Sequence, residues 1–167
     1  VKVAVLMGSD SDWETVQEAV RALGEFGVET DVHVLSAHRT PDRLAGYVRE
    51  AERAGAQVFI AAAGGAAHLA GAVAAQSTRP VIGIPIETPA LGGLDSLLST
   101  VQMPGGVPVA TVAIGKGGAK NAGLLAVQIL ALADAKLAAK LSEFKKTTAE
   151  AVLRKNEELQ KRIKNLS

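Results

Sequence analysis

Five apolar runs rich in β-branched residues, at 2–7, 29–35, 57–62, 80–85 and 108–114, recur at fairly even intervals and constrain this chain more than any other feature. Each ends in a loop that bears Gly, Ser or Pro. Helix-period patterns fill the intervals. Residues 12–26 carry Trp13, Val16, Ala19, Val20 and Leu23 at helical spacing, with Asp10 or Asp12 available as N-cap. Residues 41–54 repeat the idea with Leu44, Tyr47, Val48 and Ala51, and Pro41 suits the first helical position. Residues 66–76 are Ala-rich, and the fourth interval reads partly as loop. Alternating strand and helix predicts a parallel sheet with helices on both faces. The strand runs are apolar almost throughout, as expected for strands covered on two sides.

The expected fold is therefore α/β: a three-layer α/β/α sandwich around a five-stranded parallel sheet. Order 2-1-3-4-5, the flavodoxin-like arrangement, is preferred because it is the common five-strand solution. A long helical stretch follows. Residues 119–141 are rich in Ala and Leu, whereas residues 143–164 hold seven Lys/Arg against four Glu, with sparse apolar positions at Phe144, Val152, Leu159 and Ile163. The expected organisation is an α/β domain over 1–141 with a charged helical extension of the same domain over 142–167. That extension reads either as a solvated helix or as an arm across a neighbouring subunit, since so polar a helix gains little by burial in its own domain.

Composition narrows the chemistry. The 167 residues are enough for one ordinary domain with a substantial core. Formal net charge is +1 and aromatics make up 3%, so neither a basic field nor a stacking platform points to nucleic acid or membrane. There is no cysteine, which excludes disulfides, thiolate catalysis and cysteine-held metal sites. That composition fits a cytoplasmic protein. The run Val1–Met7 reads as a strand rather than a leader, and no apolar run approaches the length of a membrane span.

Three loops hold chemistry. Strand one leads into Gly8-Ser9-Asp10-Ser11-Asp12, where hydroxyls and a helix N-terminus favour an anion such as phosphate; the same residues also read as ordinary helix caps. Strand two leads into Ser36-Ala37-His38-Arg39-Thr40-Pro41. His38 can move protons near neutral pH, and Arg39 can hold a phosphate or carboxylate with a planar fork, or pair with a surface acid. His33 lies inside the strand pattern and reads as structural. Strand three leads into Ala61-Ala-Ala-Gly-Gly-Ala-Ala-His68-Leu69, where small side chains allow close ligand approach or tight helix–sheet packing. With order 2-1-3 these loops become neighbours at the carboxyl edge, where open α/β sheets bind ligands. A phosphoacceptor domain of the same architecture is excluded, because strand three ends in Ala-Ala-Ala-Gly-Gly where such a domain needs Asp.

The segments Met7–Trp13, Ser36–Asp42, Ala63–Leu69, Gly93–Leu98, Val101–Pro104, Val109–Gly115 and Lys120–Leu125 together resemble the class I N5-carboxyaminoimidazole ribonucleotide mutase family (PurE), in order, from Val3 to about Leu141. Ala70 stands where Pro commonly follows His-Leu, and Gln76–Arg79 also departs from the usual pattern. The resemblance implies an isomerase of de novo purine synthesis that moves a carboxylate from N5 to ring carbon C4, without ATP, metal or organic cofactor. It implies Ser9, Asp12 and Arg39 in nucleotide binding, with Ser11 adding phosphate contacts and Asp12 suited to ribose hydroxyls. It makes His38 the acid–base residue. His68, Ser36, Leu69 and the Ala63-Gly64 backbone then line the carboxylate or CO2 pocket. It further implies a homo-octamer with the C-terminal helix packed on neighbours. The Gly-Gly-Ala-Ala-His-Leu loop favours the mutase over the CO2-dependent carboxylase of animal-type relatives. A non-catalytic nucleotide-binding module is the remaining alternative.

Overall fold

The computed structural model describes residues 2–166. Its sheet has five parallel strands in the order β2-β1-β3-β4-β5. They are β1 (Val3–Met7), β2 (Thr30–Val34), β3 (Val58–Ala63), β4 (Val81–Pro85) and β5 (Ala110–Thr111). The helices are α1 (Trp13–Glu25), α2 (Pro41–Arg53), α3 (Leu69–Ala74), α4 (Leu94–Val101), α5 (Gly115–Ala131) and α6 (Ala135–Lys164). The expected sandwich and strand order are both present, with a long C-terminal helix.

The central strands earn their β-branched, two-sided pattern. Every residue of β1 and β4 is buried, as are the first five of β3. Ala4, Leu6, Phe59 and Ala61 face a cluster with Leu44, Val48 and Ala51 of α2 and Leu69, Ala70 and Val73 of α3. Alternate residues such as Val3, Val5 and Ile60 are buried on the opposite face. Edge strand β2 is half exposed, and polar contacts fix it instead. Asp31 accepts from the Tyr47 hydroxyl at 2.9 Å and lies 2.9 Å from His33 Nε2, whose ring tilts against Tyr47. His33 is thus structural. Burial, then the hydrogen bond to Asp31, raises the Tyr47 hydroxyl pKa well above its ordinary value.

Two sequence expectations shift in detail. The fifth run shrinks from 108–114 to two residues, because β5 is an edge strand that pairs only through Ile82↔Ala110 and Gly83↔Thr111. Pro108 lacks an N–H for a longer ladder, and Gly115 turns the chain at φ 78°. The fourth interval is partly loop, as expected, with α4 in its middle. The helical stretch breaks at 132–134 rather than changing only in composition, since Asp134 caps α6 by accepting from the Lys136 and Leu137 N–H groups. The chain forms two compact units, Val1–Ile129 and Leu130–Ser167. In the second, α6 exposes Val152, Leu153, Leu159 and Ile163. In the first, Trp13 lies 43% exposed despite sharing a helical period with buried Val16, Ala19 and Leu23.

Small residues let helices approach. A Cβ on Gly123 of α5 would lie 2.6 Å from the Ala19 carbonyl oxygen and 2.9 Å from Ala22 Cβ, both on α1. A Cβ on Gly46 of α2 would meet nothing within 4 Å. Gly123→Ala should therefore destabilise the fold by about 1–3 kcal/mol through overpacking. Gly46→Ala should instead stabilise it by about 0.5–1 kcal/mol through helix propensity. Urea denaturation midpoints of the two variants check the opposite signs.

Candidate active site

The order β2-β1-β3 brings the loops after those three strands to one carboxyl edge. Backbone bonds extend the ladder into them: Gly8 N–H donates to Ala62 O at 3.0 Å and Leu35 N–H to Met7 O at 2.9 Å. Between the loops lies a cleft of about 410 Å3. Ser9, Asp12, Ser36, His38, Arg39, Ala63, Gly64, His68 and Leu69 all line it. Of the expected residues only Ser11 is missing from the lining. Its hydroxyl donates to Ser9 Oγ at 2.9 Å.

The first loop forms a 3-10 turn over Asp10–Asp12 that enters α1. Ser9 is the N-cap of that turn, in a capping box: Ser9 Oγ accepts from Ser11 N–H, and Asp12 Oδ2 accepts from Ser9 N–H at 3.2 Å, while Asp12 itself takes the N-cap position of α1 without a side-chain cap bond. This box holds Asp12 against the cleft while leaving it 9% exposed. Burial pushes the Asp12 carboxyl above its ordinary value, against the hydrogen bonds of Ser9 and Ser11, and Asp10 adds to the rise.

The second loop is pinned at both ends. Thr40 Oγ1 accepts from Ser36 N–H at 3.0 Å and donates to Ser36 O at 3.0 Å. Ser36 Oγ accepts from Arg39 N–H at 3.1 Å and from Arg39 Nε at 3.5 Å. The Arg39 guanidinium also donates to Gly8 O at 3.2 Å, bridging the first two loops. Among the described residues no carboxylate pairs with it, so its charge is available to an anion. Pairing of Arg39 with a surface acid is thereby set aside.

The third loop crosses beneath. His38 Nε2 lies 2.8 Å from His68 Nδ1, with the rings edge-on at 77°. Helix α4 holds this loop from behind. Ser96 Oγ accepts from Gly65 N–H at 2.9 Å; Ser99 Oγ accepts from Ala67 N–H at 3.0 Å and donates to Gly65 O at 2.9 Å. Gly65 sits at φ 68°, a turn that glycine takes at no steric cost. Sequence reasoning gave Ser96 and Ser99 no role, although hydroxyls three residues apart on an apolar helix were a visible signal. Gly8, Ala37 and Ala66 also line the cleft and were not singled out.

The cleft thus offers two imidazoles, one unpaired guanidinium, one buried carboxyl, and walls of Ala and Gly. It can hold a small anion and exchange protons beside it. Among the described residues no cluster of three His, Cys, Asp or Glu could hold a metal ion, and no helix is long and apolar enough to cross a membrane.

Known proteins align with this architecture along nearly its whole length. The chain is 55% identical over 157 residues to the N5-carboxyaminoimidazole ribonucleotide mutase of Bacillus subtilis, covering 94% of this chain and 97% of the relative. It is 56% identical over 152 residues to the mutase of Saccharolobus solfataricus, covering 91% and 95%. A crystal structure of Treponema denticola PurE superposes with a TM-score of 0.86 at 28% identity, covering 94% of this chain and 97% of that one. The family model described as AIR carboxylase matches residues 2–151, which include the whole sheet and all three loops of the cleft, and the chain belongs to that family.

Proposed function

We propose that this chain is an N5-carboxyaminoimidazole ribonucleotide mutase, an isomerase of purine biosynthesis, and that His38 is its acid–base residue. Relatives 51–56% identical over at least 91% of the chain carry that name, which supports the mutase over the carboxylase or a non-catalytic module. The observation that carries the site assignment is the unpaired Arg39 guanidinium beside His38 in one Ala- and Gly-walled cleft.

In this reading Ser9, Ser11 and Arg39 take the phosphate, and Asp12 takes the ribose hydroxyls. His68, Ser36, Leu69 and the Ala63-Gly64 backbone take the carboxylate. The N5–carboxylate bond breaks, CO2 departs, and protonated His38 supplies the proton that N5 gains. The electron-rich C4 then attacks the CO2 carbon, and neutral His38 removes the C4 proton. A C–N bond is exchanged for a C–C bond and one proton passes from C4 to N5, so the cycle is balanced. Holding CO2 beside the ring replaces a bimolecular capture with an effectively unimolecular one, worth about 7–11 kcal/mol at best. Small walls suit so small an intermediate.

Residues 1–141 form the mutase domain in this reading, with 142–167 as its helical extension. We further read the protein as cytoplasmic and as a homo-octamer. Exposed Leu94, Leu98 and Val101 on α4, with Leu91 in the turn before it, supply an apolar face for self-association. A monomer in light scattering would contradict the octamer.

His38→Asn should lower kcat by at least about 100-fold, the usual scale of acid–base catalysis, while nucleotide affinity in calorimetry stays within about threefold. Arg39→Ala should show the reverse balance, with affinity lost first. Near-full activity of the His38 variant would sink the assignment.

The raised carboxyl of Asp12 gives a signed stability prediction. Folding disfavours its ionised form, so it costs stability at neutral pH, and that cost fades as pH falls through the carboxylate range. Asp12→Asn keeps an acceptor for Ser9 N–H. It should melt higher than the parent at pH 7, lose that advantage on acidification, and bind the ribonucleotide more weakly. A lower melting temperature at pH 7 would overturn the reading.

A further inference from the structure

The 2.8 Å contact between His38 Nε2 and His68 Nδ1 requires one hydrogen between two nitrogens. Two neutral registers satisfy it. In one, His38 donates: its Nδ1 is bare, and His68 carries its own hydrogen on Nε2. In the other, His68 donates: His38 carries its hydrogen on Nδ1, and His68 Nε2 is bare. A third proton makes a cation in which both outer nitrogens are N–H donors around the shared hydrogen. A fourth would set two N–H groups face to face with no acceptor, so the contact survives only up to one positive charge. The other charged groups lining the cleft are Asp12 and Arg39.

We propose that His68 is a positioning residue for proton transfer: it accepts from His38 Nε2, fixes the first register, and leaves His38 Nδ1 as the nitrogen that exchanges a proton. This rests on the mutase reading, which decides between the registers. A carboxylate in the pocket needs a donor from His68, and the base step needs a bare nitrogen on His38. Only the first register supplies both. The second would set a bare His68 nitrogen against an anion. In the cationic pair His38 Nδ1–H is the acid while His68 Nε2–H still holds the carboxylate. After proton loss His38 Nδ1 is the base, and the His68 donor is unchanged. The acid and base steps therefore proceed without re-aiming the carboxylate contact. His68 acts on the proton through His38 and on the carboxylate directly.

Two amide variants separate these duties. His68→Asn places an acceptor near the old Nδ1 position. His68→Gln reaches the old Nε2 position and loses the acceptor for His38. Imidazole 15N shifts of the enzyme saturated with the C4-carboxylated ribonucleotide product, with 15N-labelled histidine, report the His38 tautomer. The parent and the Asn variant should both show His38 as the Nε2–H form. The Gln variant should show a mixture, and its kcat should fall about 100-fold against about tenfold for Asn. Unchanged His38 shifts in the Gln variant, or a kcat order with Asn below Gln, would overturn the proposal. The nitrogen shifts read the tautomer and the His38→Asn turnover tests the mutase assignment, so the two can fail separately.

Discussion

Parallel pairing of β1 with β3 is the constraint on which the rest of this molecule depends. Its register runs from Val3↔Val58 to Met7↔Ala62. That pairing sets Gly8, the first residue beyond β1, against Ala62 and Ala63. With β2 on the other side of β1, the same edge receives Ser36–Arg39. A one-residue slip of β1 would turn that strand's core side chains to the opposite face, and against β2 it would separate Arg39 from the Gly8 carbonyl. The arrangement of the cleft is therefore a consequence of sheet order more than of any one loop.

The first two loops are held largely by bonds within themselves, the third by a distant helix. Thr40 and Ser36 close the second loop by exchanging hydrogen bonds within it. The third loop depends on Ser96 and Ser99, about thirty residues downstream. Ser96 is fully buried and would be costly there without its backbone partner. Carrying polar anchors on an otherwise apolar helix keeps the site in place while leaving its walls small. The buried Asp12 carboxyl runs the other way, spending stability to present a charge at the cleft.

Much of this was legible in the sequence because periodicity and loop chemistry agreed. Apolar runs located four strands to within a residue or so, and the 2-1-3 order made three separate loops into one cleft. Pro41 marked the start of α2. What was not legible depended on contacts between distant segments. The contact between His38 and His68 spans thirty positions and exists only once the sheet is ordered. The fifth run looked like a full strand because residues 108–114 are mostly apolar, yet an edge strand with one neighbour and a proline pairs over two residues. The break at 132–134 was missed because Leu-Ala-Asp breaks no helical period; the Asp134 cap makes it. Asp12 takes the N-cap position of α1, but the side chain that caps is Ser9, one 3-10 turn earlier, in a capping box with the Asp12 carboxylate.

In the proposed mechanism one cleft releases CO2 from N5 and returns the same molecule to C4 with His38 carrying the proton. Substrate with a 13C-labelled N5-carboxylate, turned over in unlabelled bicarbonate, tests this step. The label should appear at C4 undiluted. Product carrying carboxylate drawn from the unlabelled pool would rule the mechanism out.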